Sequence, residues 1–124
     1  MSVVEEINLE NLYPLDSMEL LDPMQIENAK KEVENEKTES IISVIQYNGI
    51  HLILEGIYKV IAYARLGRAK IGVQVIDRKN LSFWSIDSNV SSQLKYLGKN
   101  ALYDFEAISG IKYAVFPKEY TGDK

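Results

Sequence analysis

The sequence predicts an α+β domain: a small mixed sheet that includes a β-hairpin, helices packed against it, and a C-terminal helical extension. Three observations carry this. Asn48-Gly49 separates two runs rich in Ile, Val and Leu, the pattern of a hairpin with a tight turn. "LLDPMQIENAKKEVENEK" opens with Asp-Pro, a helix start. "LILEGIYKVIAYARLG" runs from an apolar strand through Glu55-Gly56 into a helix that stops at Gly67.

Taken in order, Val3–Ile7 reads as a short strand, with Leu9 and Leu12 still packing inward and Pro14 ending the regular pattern. Asp22 is the expected N-cap of the first helix. Pro23 suits its first position, where a missing N–H costs nothing, and Gln25 completes a capping-box spacing. Ile26, Ala29 and Val33 form a narrow apolar stripe on an otherwise charged helix. Ile41–Tyr47 and Ile50–Leu54 are the hairpin strands, since Asn-Gly supplies the positive φ angles of a type I′ turn.

The next helix covers Ile57–Leu66. Ile57, Val60, Ile61 and Ala64 recur on one face, and Gly67 is the left-handed residue after its end. Ile71–Ile76 is a strand. A longer helix comes next, with Val90, Leu94, Leu97, Ala101, Leu102 and Phe105 on its inner stripe. Gly98 weakens that helix by about 1 kcal/mol against Ala and marks a kink or a close contact. "IKYAVFP" has the composition of a last short strand. No repeat or linker interrupts residues 1–124, which read as one domain: a core over 5–77 and an extension over 78–124.

Composition narrows the chemistry. Apolar residues make up 46% of 124 residues, enough to build a core. With no cysteine, disulfides, thiolate catalysis and Cys-ligated metals are excluded. His51 is the single histidine and falls in an apolar strand pattern, so it reads as a sheet residue rather than a catalytic base. The N-terminus has neither the basic head nor the apolar run of a signal peptide, and no stretch approaches the ~20 apolar residues of a membrane span. The expectation is a cytoplasmic protein with no membrane partner.

The net charge of −4 opposes nonspecific DNA binding. It hides an asymmetry. Residues 1–36 hold ten acids against two lysines, a charge of −8, which leaves +4 for the remainder. Lys59, Arg65, Arg68, Lys70, Arg78 and Lys79 cluster against one acid, Asp77. That run is either solvated surface near a helix end or a local positive field for an anion.

The Glu55-Gly56 junction is where the two accounts meet. A strand-Gly-helix junction holds phosphates well, because free N–H groups and the helix dipole face the ligand. Acid-Gly-x-x-base after an apolar strand, then Ala-x-x-x-Leu-Gly, then an apolar strand, with a Leu-x-Pro-x-acid turn, a helix and a hairpin upstream, resembles the ParB/sulfiredoxin-like superfamily over residues 5–77. The superfamily signature there is Asp-Gly-His-His-Arg, which this chain has as Glu-Gly-Ile-Tyr-Lys: an eroded motif.

The resemblance implies a site in which Gly56 lets the backbone approach a phosphate and Lys59 stands for the phosphate-binding arginine, with Glu55, Ile57 and Tyr58 completing the loop. It implies a nucleoside triphosphate with magnesium as the cofactor. In kinase-like members an acid after Leu-x-Pro acts as base, and Asp16 falls near that position. The departures are specific. Both histidines are lost to Ile57 and Tyr58, lysine lacks arginine's bidentate fork, and the proline often found before the hairpin is Ile41. The sulfiredoxin cysteine is absent. No helix-turn-helix is recognisable after residue 77, so specific DNA binding is not expected.

Each candidate also has a bland role. Gly56 can be a turn residue, Lys59 a solvated helix lysine, and Asp16 a loop acid. Glu55 suits the helix dipole but repels a phosphate unless a metal bridges them. Tyr58 and Tyr63 can stack on a base or pack against neighbours. Three functions are open. The first is a weak nucleotide- or phosphate-binding or regulatory module, bacterial in type and without robust catalysis. The second is an active kinase-like or nuclease-like phosphoryl-transfer enzyme using Asp16, Glu55 and Lys59. The third is a protein-interaction domain that has lost its ligand, with Tyr96, Tyr103 and Phe105 as the contacts.

Overall fold

A computed structural model describes residues 4–36 and 40–122. Five strands form one mixed sheet: β1 (Val4–Asn8), β2 (Leu12–Pro14), β3 (Ile41–Tyr47), β4 (Ile50–Glu55) and β5 (Lys70–Val75), in the order β1-β5-β3-β4-β2. β1 is antiparallel to β5, β5 parallel to β3, β3 antiparallel to β4, and β4 parallel to β2. The helices are α1 (Pro23–Asn35), α2 (Ile57–Arg65), α3 (Asp87–Ser109) and the short α4 (Lys118–Thr121).

The hairpin is the expected one. Asn48 and Gly49 take φ of 50° and 82°, and Tyr47 pairs with Ile50. Its side chains alternate between two cores, as the pleat requires. Val44 and Ile53 join Ile26, Val33, Val60 and Ile61 on the α1 and α2 face. Ile45 and Leu52 join Val90, Leu94, Leu97 and Leu102 on the other. Each fully buried Leu or Ile contributes about 1.5–3 kcal/mol, so α3 is an integral cover of the sheet. Its whole predicted stripe is buried.

Several expectations are corrected. The first strand is Val4–Asn8, and Val3 lies outside the described residues. Pro14 does not end the regular pattern but closes β2, a strand the sequence reading missed. It tolerates proline because β2 is a sheet edge, where one side of the strand needs no donor. The capping box is incomplete: Asp22 caps α1 by accepting from Met24 N–H at 2.9 Å, but the backbone N–H of Asp22 goes to the Tyr58 hydroxyl at 3.0 Å, not to Gln25.

"IKYAVFP" forms no strand. Two of its backbone donors are taken by side chains instead: Ile111 N–H by Ser109 Oγ and Tyr113 N–H by Glu106 Oε2. The hydroxyls of Tyr113 and Tyr120 donate to the carbonyls of Leu12 and Pro14, covering β2. Burial pushes both phenols well above the usual tyrosine range, so they stay neutral donors. Gly98 breaks α3 with φ 63° and ψ −169°, a backbone only glycine adopts readily, and the chain there runs against Tyr120.

Candidate functional site at the β4–α2 junction

The junction is built by a bulge. Val44 pairs with Ile53 but Ser43 pairs with Glu55, so Leu54 is the extra residue on β4. A bulge bends its strand and re-aims the residues after it. Glu55 therefore leaves the sheet exposed, and Gly56 turns into α2 with φ 105° and ψ 21°. A Cβ at Gly56 would lie 2.8 Å from Ile42 Cβ and nearer still to its Cγ2. Both the φ angle and the close approach require glycine here.

Gly56 offers no side-chain cap to α2, unlike Asp22 at α1. The first N–H groups of α2 are thus left without a side-chain acceptor. Lys59 lies in the same turn, but its ammonium is not free. It sits 2.7 Å from Glu36 Oε1 and 2.9 Å from Glu32 Oε2, both on the end of α1. The other oxygen of Glu36 accepts from Ser40 Oγ at 2.6 Å. The Lys59 and Ser40 hydrogen bonds hold the Glu36 carboxyl below the usual glutamate range. Partial burial opposes the charge on Lys59, but the two carboxylates outweigh it and hold its pKa above the ordinary lysine value.

The remaining candidates divide. Ile57 is half-buried against the first core. Tyr58 is packed there too, with its hydroxyl committed to Asp22. Tyr63 is 2% exposed and accepts from Ser40 N–H at 2.8 Å, so it has no face for a base. Asp16 is exposed beyond β2. Because β2 and β4 are parallel, with Pro14 opposite Ile53, Asp16 and Glu55 leave the same end of the sheet. Neither side chain has a hydrogen-bond or ion-pair partner among the described residues. Among those residues, no three His, Asp or Glu side chains are grouped to hold a metal. His51 lies on the hairpin opposite Gln46, with their Nε2 atoms 3.1 Å apart.

The basic run does not form one field. Arg65 donates to Ile108 O and faces Glu27 at 3.7 Å; Arg68 stacks on the Tyr63 ring; Arg78 pairs with Asp87 at 2.7 Å. The contacts that sequence reasoning missed are Glu32, Glu36 and Ser40. Only the spacing of the two glutamates, one helical turn apart, hinted at a shared face.

The overall fold is found in solved structures. A sulfiredoxin from Arabidopsis thaliana matches at 17% identity and a TM-score of 0.55, over 68% of this chain and 98% of its own. SbnI with a C-terminal truncation, from Staphylococcus aureus, matches at 18% and 0.54, over 61% of this chain. The chain has the ParB/sulfiredoxin-like fold. Protein Atu1540 from Agrobacterium tumefaciens matches 98% of this chain at 12% identity and a TM-score of 0.53. The chain spans 31% of the SbnI structure and 55% of Atu1540. No family model and no curated protein matches the sequence. No helix among the described residues is long and apolar enough to cross a membrane.

Proposed function

We propose that this chain is a module of ParB/sulfiredoxin-like fold, without robust catalysis, that binds a phosphate group weakly at Glu55–Lys59, the phosphates being those of a nucleoside triphosphate with magnesium. The observation that carries the reading is the start of α2: a helix without a side-chain cap, with glycine at the turn and a lysine in the first turn. Weak binding is expected from the same place, because Lys59 already holds two carboxylates. Glu55 beside the helix start opposes an anion unless a cation accompanies it.

The test is calorimetric titration with ATP and CTP, with and without magnesium, on the wild type and Lys59→Ala. Binding that disappears in the variant supports the site. A wild type that binds nothing at millimolar nucleotide ends the reading. Phosphate release that is lost in Asp16→Asn would replace the module with an enzyme.

One observation favours a second reading, a protein-contact domain. Phe105 is buried, but Tyr96 and Tyr103 on α3 are 81% and 57% exposed, and Tyr103 meets Phe116 edge to face at 4.8 Å. Unchanged partner capture and oligomeric state in Tyr103→Ala would count against it.

A further inference from the structure

We infer that Glu36, with Glu32 beside it, is an internal ligand of the α2 site: the carboxylates occupy the cation that a phosphate needs, and a phosphate enters by displacing them. This rests on the proposed phosphate site and adds what sets its affinity.

Three observations support it. First, the pairing is close and double, with both carboxylates within 2.9 Å of one ammonium across two helices. Second, Glu36 is braced. Buried Tyr63 accepts from the Ser40 backbone, and the Ser40 hydroxyl donates to the Glu36 oxygen that does not face Lys59. The carboxylate is thus aimed at Lys59 from a fixed base. Third, Glu32 and Glu36 stand at the C-terminal end of α1, which has no basic residue in its last turn. Acids there oppose the helix dipole, so α1 by itself disfavours them. Lys59, near the N-terminal end of α2, supplies the compensating charge.

The consequence is a charge barrier. With both glutamates in place the cluster of three groups carries a net charge of −1, which opposes any phosphate, and more so the higher its charge. With both glutamates neutralised, Lys59 leaves the cluster at +1.

The experiment is titration with inorganic tripolyphosphate of the wild type, Glu32→Gln/Glu36→Gln, the same pair with Lys59→Ala, and a control of equal charge, Glu19→Gln/Glu34→Gln. Thermal melts check folding. The expected result is an affinity raised about tenfold or more in the Glu32/Glu36 pair, lost when Lys59 is also removed, and unchanged in the control. Equal affinity of the wild type and the Glu32/Glu36 pair overturns the internal ligand and leaves the site standing. An equal gain in the control also overturns it, since total charge would then explain the effect. No binding by any protein at millimolar tripolyphosphate overturns the phosphate site, and this inference with it.

Discussion

Gly56 lies against Ile42 so closely that the glycine has no room for a side chain: a Cβ would come within 2.8 Å of Ile42 Cβ. The packing between α2 and β3 therefore fixes this residue independently of any ligand. Gly56→Ala should destabilise the fold by about 2–4 kcal/mol, from strain at positive φ and from overpacking. Denaturant unfolding measures it. Adding Ile42→Ala should recover part of the loss, because the two residues share one contact. Purely additive losses would mean that the close approach is relieved elsewhere.

The Lys59 cluster should give a pH signature. The folded-state pKa of Glu36 is depressed, so its contribution is present above the ordinary carboxylate value and is lost as pH falls through the folded value. The pKa of Lys59 is raised, so its contribution is complete below the ordinary lysine value and is lost only as pH rises through the folded one. Glu36→Gln should therefore flatten the acid limb of the stability curve below about pH 4.5. Because the pairs are partly exposed, Lys59→Ala should cost less than about 1 kcal/mol at neutral pH. An unchanged acid limb would show that Glu36 is not held by Lys59 in solution.

Tyr120 offers a test of the edge of the sheet. Its ring is buried and its hydroxyl donates to Pro14 O. Tyr120→Phe keeps the ring and removes the donor, so it should cost about 1–3 kcal/mol. The matching change at exposed Tyr96 should cost almost nothing. Equal melting temperatures for the two variants would mean that water replaces the Tyr120 hydroxyl.

At Gly98 the structure reverses the sign of a propensity argument. In a continuous helix, Gly98→Ala would stabilise by about 1 kcal/mol. With φ 63° and ψ −169° the same change should destabilise by about 1–3 kcal/mol. Chemical denaturation distinguishes the two directions outright.

The elements set by local chemistry were legible. Asn48-Gly49 announced the hairpin, Asp22-Pro23 opened α1, and the 3.6-residue stripe located the buried face of α3; on α2 it found Val60 and Ile61 but not the buried Ala62 and Tyr63, while Ile57 and Ala64 are only partly buried. Gly98 was legible as a kink or a close contact, and the structure has the kink there. β2 was not legible, because three residues are too few for a period and Pro14 argued against a strand. "IKYAVFP" was misread because β composition cannot tell whether a segment will pair with a sheet edge; side chains take the Ile111 and Tyr113 donors instead. In the site, Gly56 and Lys59 were found from the junction. Their partners were not, since the choice of Glu36 for Lys59, 23 residues away, depends on how two helices face one another. The same limit hid the use of the Tyr58 hydroxyl by Asp22.

The two tyrosines that cover β2 also constrain the order of assembly. Tyr113 reaches back 101 residues to Leu12, and Tyr120 reaches back 106 to Pro14. Contacts so distant along the chain are the slowest to form and are gained only after a large loop has closed. During synthesis, β2 must wait with its carbonyls wet until Tyr120 has cleared the ribosome. Until then the sheet has an open side that a second nascent chain can pair with. Tyr113 and Tyr120 thus act as a clasp on β2, and a polypeptide stopped at Gly110 would keep all five strands but lose both of these bonds.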